Sequence, residues 1–497
     1  MFELPVARSV ERNPEDGRLR DLALARMPRI TETEFGNLNY QAEVTARLKN
    51  STFFVSDTEI HQNRISRAEA EEWAARQDAH IAERDMLVVE GYIGPDPGFR
   101  TGSRLYIEAT QPNIAAMQAH LYFPADDDWA PEFTVIYTPS LRAEGKPDDR
   151  LIIADLDNWV TRVFGSDYFG ESKMGGLRMW NRLVYDHGGL ACHAGLKTFP
   201  ADATRRGEEE SMLIIGLSGT GKTTTTFRQQ AGSLPVQDDF VALMPGGDVH
   251  TTEAGCFAKT YGLNPEDEPT IYGGTTRPDA WLENVAVSPD GKVDFFDTSY
   301  TANGRCTFPL ANIRHRDPSD VPPARYLLIL NRSDHVIPAV ARLRRDQIPA
   351  YFMLGETKGT SAGGAAEAGK SLRVRGGDLL YGLDPEVAGE ARAGTTPRNP
   401  GFPDAPKPGH HIVEPAAILA DEGQPQVVGL LRFVRDGAAL TRHRDQPGRE
   451  PVHPQRRRQQ APECASVKEV KPSGPSEPQA DQVPFNAGRL HVSSGSG

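Results

Sequence analysis

Few stretches limit the possible folds of a chain as sharply as residues 212–227, MLIIGLSGTGKTTTTF. A short apolar run ends at Gly216, and Gly216-x-x-x-x-Gly221-Lys222-Thr223 follows with Walker A spacing. The pattern predicts a strand, a phosphate-cradling loop and then a helix. Gly216, Gly219 and Gly221 let backbone N–H groups turn inward on phosphate oxygens, with Leu217, Ser218 and Thr220 supplying the intervening amides. The helix N-terminus adds partial positive charge. Lys222 is placed for the β- and γ-phosphates, the Thr223 hydroxyl for a nucleotide-bound Mg²⁺, and Thr224 opens the helix beside it.

A chain of 497 residues holds two domains with room for an appendage. Its four cysteines are far apart, with no CxxC pair, which excludes a zinc-finger spacing and a disulfide framework and suits a reducing cytoplasm. The charged N-terminus has no apolar core of a signal peptide, and no apolar run is long enough for a membrane span. A net charge of −13 argues against a nucleic-acid binder.

Along the chain, residues 1–205 read as a mixed α/β domain. Residues 67–86, rich in Ala, Glu and Arg, suit an exposed helix, and residues 113–120 a second one. Residues 87–89 and 133–137 look like strands. Residues 206–374 form the P-loop domain, with strand candidates at 326–330 and 336–340. From 375 to 497, Pro, Gly and Arg dominate and the composition is that of a partly disordered tail, although residues 426–434 have the pattern of one regular element.

The sequence VQDDF at residues 236–240 puts Asp238 and Asp239 soon after the loop. Paired carboxylates there either hold divalent metal in phosphoryl transfer or form a turn or helix cap. Upstream, YFGESK at 168–173 combines Tyr168, a carboxylate and Lys173, and LACHAG at 190–195 carries His193.

In order along the chain, these blocks and EAGCFAKT (253–260), EPTIY (268–272), LENV (282–285) and TANGR (301–305) make a series. It resembles the ATP-dependent phosphoenolpyruvate carboxykinase family over most of residues 45–359. The resemblance implies a two-domain architecture with the active site in the cleft between domains. It also implies an activity, oxaloacetate and ATP to phosphoenolpyruvate, CO₂ and ADP, with Mg²⁺ and Mn²⁺ and with no nucleic-acid or membrane partner. Tyr168, Lys173 and Arg47 (in TARLKN, 45–50) would face the substrate. His193 and Asp239 would ligate Mn²⁺, with Thr223 and Asp238 at the nucleotide's metal. Glu268 would contact the nucleotide and Arg305 would bridge substrate and γ-phosphate.

Two departures stand out. Met174 follows Lys173 where the family has a second, metal-ligating lysine, and a thioether is a poor Mn²⁺ ligand. The segment that packs on adenine in the family has no counterpart after GETKGT (355–360). A nucleotide-binding protein of the same fold without catalysis, and another P-loop phosphotransferase, therefore stand as alternatives. The oligomeric state is open, a monomer being compatible with the sequence.

Overall fold

The computed structural model describes residues 2–60, 62–216, 220–331, 342–344 and 348, and the backbone of the strands Glu356–Lys358, Ser371–Arg373 and Gln426–Arg432. The chain divides into a unit Met1–Gly437 and a unit Ala438–Gly497, and the second lies outside the described residues. So do the strand expected at 336–340, the three loop positions Leu217, Ser218 and Gly219, and the tail beyond 375 apart from Gln426–Arg432.

The fold is α/β with mixed sheets, as the sequence predicts. A nine-stranded sheet combines parallel and antiparallel pairs, with Thr101–Glu108, Phe133–Thr138 and Val160–Phe164 as central neighbours. Their side chains are buried on both faces, so these strands read as continuous apolar runs instead of alternating. The helix Phe169–Asp186 packs across them. Its Gly175 lets the backbone come close: a Cβ there would stand 2.9 Å from a Val135 methyl. Three glycines weaken the helix intrinsically, so its stability comes from burial of its first thirteen residues save none.

A five-stranded sheet carries the P-loop: Leu234–Gln237, Ala194–Phe199, Glu210–Ile215, Ala324–Asn331 and Gln426–Arg432. The last two run parallel to Glu210–Ile215, and the apolar segment expected near 426–434 is thus a strand, the last in this order among the described residues. A second five-stranded sheet contains Gly255–Lys259, Arg305–Pro309, Trp281–Glu283, Leu38–Tyr40 and Ile30–Glu32. Two of its strands come from the first forty residues. Leu190–Cys192, Val241–Leu243 and Val249–Thr251 form a small antiparallel sheet.

The helix expected over 67–86 is shorter, Arg67–Ile81, with Ser66 capping it by accepting from the Glu69 N–H. Its buried residues Ala70, Trp73, Gln77 and Ile81 follow a helical stripe. It stops because Asp85 belongs to the strand Asp85–Ile93, where its carboxylate accepts from Arg8 and Ser9. The second helix spans Pro112–Leu121 and the strand near 133–137 is Phe133–Thr138. Among the described residues no helix is long and apolar enough to cross a membrane.

Candidate active site

The strand Glu210–Ile215 leads into Gly216, and Gly221 starts the helix Lys222–Phe227 from a left-handed conformation, φ 90°. A side chain at 221 would strain that turn, which explains glycine there. Lys222 Nζ donates to the Asp238 carbonyl and lies 3.6 Å from Asp238 Oδ1. Thr223 Oγ1 donates to Asp238 Oδ2 at 2.6 Å, and Thr224 Oγ1 donates to Glu268 Oε1. At the far end of this helix, Lys197 Nζ donates to the carbonyls of Thr225 and Arg228 at 2.9 and 2.7 Å. Those are orphan C-terminal carbonyls, and burial brings the Lys197 amine down to about 8.

Asp238 and Asp239 are consecutive yet serve different neighbours. Asp238 engages the loop helix. Asp239 Oδ1 accepts from His193 Nε2 at 2.7 Å, and its Oδ2 accepts from Lys173. Lys173 also pairs with Glu253 Oε1 at 2.7 Å, so one buried ammonium joins two carboxylates. Lys222 is 3.8 Å from Asp239 Oδ1, which links the two groups.

Protonation follows from this arrangement. Burial lowers the His193 imidazole to about 4, helped by the Lys222 ammonium, so it is neutral near pH 7. Burial favours the neutral form of Asp239, but Lys173 and His193 outweigh it and hold the carboxyl well below the usual range. The same carboxylates hold Lys173 charged against its own burial. Glu253 is pushed up to about 7, burial outweighing Lys173.

Arg305 and Lys173 approach the same aromatic ring: Phe257 lies 5.0 Å from the guanidinium carbon and 5.1 Å from the ammonium. The buried Tyr168 hydroxyl accepts from Asn303 Nδ2 at 3.4 Å, and Asn303 also donates to the Thr45 carbonyl at 2.6 Å. Arg47 acts electrostatically on the buried Glu171–Arg178 pair, which closes at 3.0 Å. The side chains expected from sequence thus fall into a P-loop group (Lys222, Thr223, Thr224, Asp238, Glu268) and a second group around Lys173, His193, Asp239 and Arg305. Tyr168 and Arg47 belong to the layer that contacts Asn303 and Glu171. Met174 is 5 % exposed and belongs to the large apolar cluster, so it packs as a core residue.

Glu253, Phe257 and Glu283 lie inside blocks of the motif series, yet nothing in the local sequence marks any of the three for a role. Their signal was present in the motif series but only as letters around better-marked residues. Glu283 is fully buried, accepts from the Phe169 N–H at 2.8 Å, and is pushed up to about 8 by burial. Lys197 had no signal at all, since its partners are backbone carbonyls.

Among the described residues, no three His, Cys, Asp or Glu side chains form a ready cation cage. The donors that do converge still fit one: a neutral imidazole and an ionised carboxylate meet at His193 and Asp239. Asp238 Oδ1, buried and lacking a hydrogen-bond partner, stands beside the Thr223 hydroxyl as an oxygen pair suited to Mg²⁺.

A P-loop helix, paired aspartates facing two ways and a buried lysine–histidine–carboxylate group define a nucleotide-dependent phosphotransferase class of site. The comparisons make this specific. The family model described as phosphoenolpyruvate carboxykinase matches residues 8–372, and the chain belongs to that family, in its ATP-dependent form. It is 28 % identical over 366 residues to phosphoenolpyruvate carboxykinase (ATP) 1 of Moorella thermoacetica, covering 70 % of this chain and 68 % of that one. With phosphoenolpyruvate carboxykinase (ATP) of Aeropyrum pernix it shares 35 % over 322 residues, 62 % of this chain and 60 % of the relative. The corresponding protein of Ruegeria pomeroyi is 30 % identical over 289 residues, 56 % and 53 %. The chain thus spans about half to two thirds of the length of these relatives.

Proposed function

We propose that this chain converts oxaloacetate and ATP to phosphoenolpyruvate, CO₂ and ADP. The observation that carries the reading is the split orientation of Asp238 and Asp239. One carboxylate serves the P-loop through Thr223, and the next serves Lys173 and His193. A nucleotide site and a second cationic site therefore share one turn of backbone, as a transfer between a triphosphate and a small acid requires.

In the reaction the C–C bond to the departing carboxylate breaks, CO₂ leaves, and the electron pair remains as the enolate of pyruvate. The enolate oxygen then attacks the γ-phosphorus and ADP departs. Mn²⁺ held by His193 and Asp239, and Mg²⁺ held near Thr223 and Asp238, would supply charge stabilisation at the enolate and the triphosphate. Lys222 neutralises phosphate charge. Lys173 and Arg305, set around the Phe257 ring, hold anionic substrate groups against the transferring phosphoryl. Tyr168 and Arg47 face the substrate, and Glu268 takes the nucleotide. Buried free thiols at Cys192, Cys256 and Cys306 accord with a cytoplasmic enzyme.

The test is phosphoenolpyruvate formation from oxaloacetate with ATP, Mg²⁺ and Mn²⁺, in the full chain and in Lys222→Ala. The expected result is product from the full chain and a loss of about 10³-fold in the variant. Nucleotide binding without product would replace this reading with that of a non-catalytic nucleotide-binding protein. ATP-dependent phosphorylation of another acceptor would make it a different phosphotransferase.

A further inference from the structure

The strand register sets Tyr40, Glu283, Arg305 and Lys259 opposite one another on four neighbouring strands. Residues directly opposite in a sheet project from the same face, so Glu283 and Arg305 are side-by-side neighbours. Each has an unused atom: Glu283 Oε2 and Arg305 Nε are both buried without a hydrogen-bond partner. The other carboxyl oxygen of Glu283 is engaged. Oε1 accepts at 2.8 Å from the N–H of Phe169, the first residue of the helix Phe169–Asp186. That N–H is one of the four orphan donors of a helix start, and Tyr168 supplies no side-chain cap to it. Lys173 lies one turn further along the same helix and ends on Asp239 and Glu253.

We propose that Glu283 is a positioning residue of the active site, tying Tyr168 and the helix that delivers Lys173 to the strand row that carries Arg305. A fully buried carboxyl with a spare oxygen is costly to keep. An apolar residue would fill the same space more cheaply if only packing were at stake. The tie fixes two cationic groups from separate elements at one spacing, and electrostatic catalysis depends on such spacing more than on affinity. The tie does not reach the P-loop helix, so its loss is expected in turnover and not in nucleotide binding.

This inference rests on the carboxykinase reading for its kinetic consequence, and its test separates the two. The full chain, Glu283→Leu and Glu283→Gln are assayed for phosphoenolpyruvate formation. In parallel, amide hydrogen exchange is followed over residues 166–175. The leucine variant is expected to lose about 100-fold in kcat while KM for ATP stays within about 3-fold. The glutamine variant keeps an acceptor oxygen for the Phe169 N–H and is expected to recover to within about 5-fold of wild type. Exchange over 166–175 is expected to quicken in the leucine variant and not in the glutamine variant.

Leucine and wild type with equal kcat, or a glutamine variant as impaired as the leucine one, would overturn the proposal. Should the leucine variant not fold, the glutamine variant decides alone, a loss of 100-fold or more refuting it. If wild type makes no product, the carboxykinase reading fails by itself and the exchange comparison still decides whether Glu283 holds the helix start.

Discussion

The P-loop group takes Lys222, Thr223, Thr224 and Asp238 from residues 222–238, and its helix is held at both ends by lysines that donate to backbone: Lys222 to the Asp238 carbonyl, Lys197 to the last carbonyls. The group around Lys173 is assembled from Lys173 on a helix, Arg305 on a strand, and His193, Asp239 and Glu253 on the connections between strands, and its contacts are mostly between buried charges. Backbone acceptors keep their place when one side chain is changed. A buried charge that loses its partner has nothing to replace it. The two groups should therefore fail differently: the first in catalysis alone, the second in catalysis and folding together.

The largest effect is expected at Lys173→Met. It leaves the Asp239 carboxylate and the Glu253 carboxyl buried together without the ammonium that joins them. Turnover should fall by about 10³-fold and stability by about 3–5 kcal/mol, the cost of breaking a buried pair from one side. Chemical denaturation and the phosphoenolpyruvate assay measure the two losses. A variant that loses activity with unchanged stability would dissolve the contrast between the groups.

Asp238→Asn tests the other side. The amide oxygen still accepts from Thr223, so the fold keeps that bond while the charge proposed to face the nucleotide's metal is gone. A fall of about 10²-fold in kcat is expected, with a melting temperature within about 3 °C of wild type. A large thermal loss would show that this group, too, is held by charge. A gentler change in the same group is Thr224→Val, which deletes the hydroxyl that reaches Glu268. One neutral-to-charged hydrogen bond, on the proposed reading at the nucleotide's edge, is worth about 1.5 kcal/mol, so KM for ATP should rise about 10-fold with kcat unchanged.

The same contrast explains what could be read before the structure. The P-loop group was legible because its spacing is local: a strand, a glycine turn, Lys222 and Thr223 have to be contiguous, and Asp238–Asp239 follow closely. The strands Phe133–Thr138 and Ala324–Asn331 were legible from apolar runs. The helix Phe169–Asp186 was not, since Gly170, Gly175 and Gly176 argue against a helix and its stability is conferred by the sheet beneath. The end of the Arg67–Ile81 helix was hidden for a similar reason: Asp85 is drawn into a strand by Arg8 and Ser9, 77 and 76 positions earlier. Glu283 sits among four common residues, and its partner Phe169 is 114 positions away. No local pattern encodes such a contact.

The smallest effect is expected at Met174, and it bears on whether the Lys173 group has lost a ligand or never used one at that position. Were the thioether a ligand, replacing it with leucine would weaken Mn²⁺ binding markedly. Met174 instead lies among apolar side chains at 5 % exposure, next to the helix glycine that abuts Val135. Leucine has nearly the same volume and no donor atom, and such swaps in a core cost under about 1.5 kcal/mol. Met174→Leu should therefore keep its Mn²⁺ affinity, read by titration calorimetry, and its turnover within about twofold of wild type. A tenfold drop in Mn²⁺ affinity would place the sulfur at the metal. Unchanged affinity would leave His193 and Asp239 as the chain's contribution, with Lys173 as the charge that keeps Asp239 ionised for it.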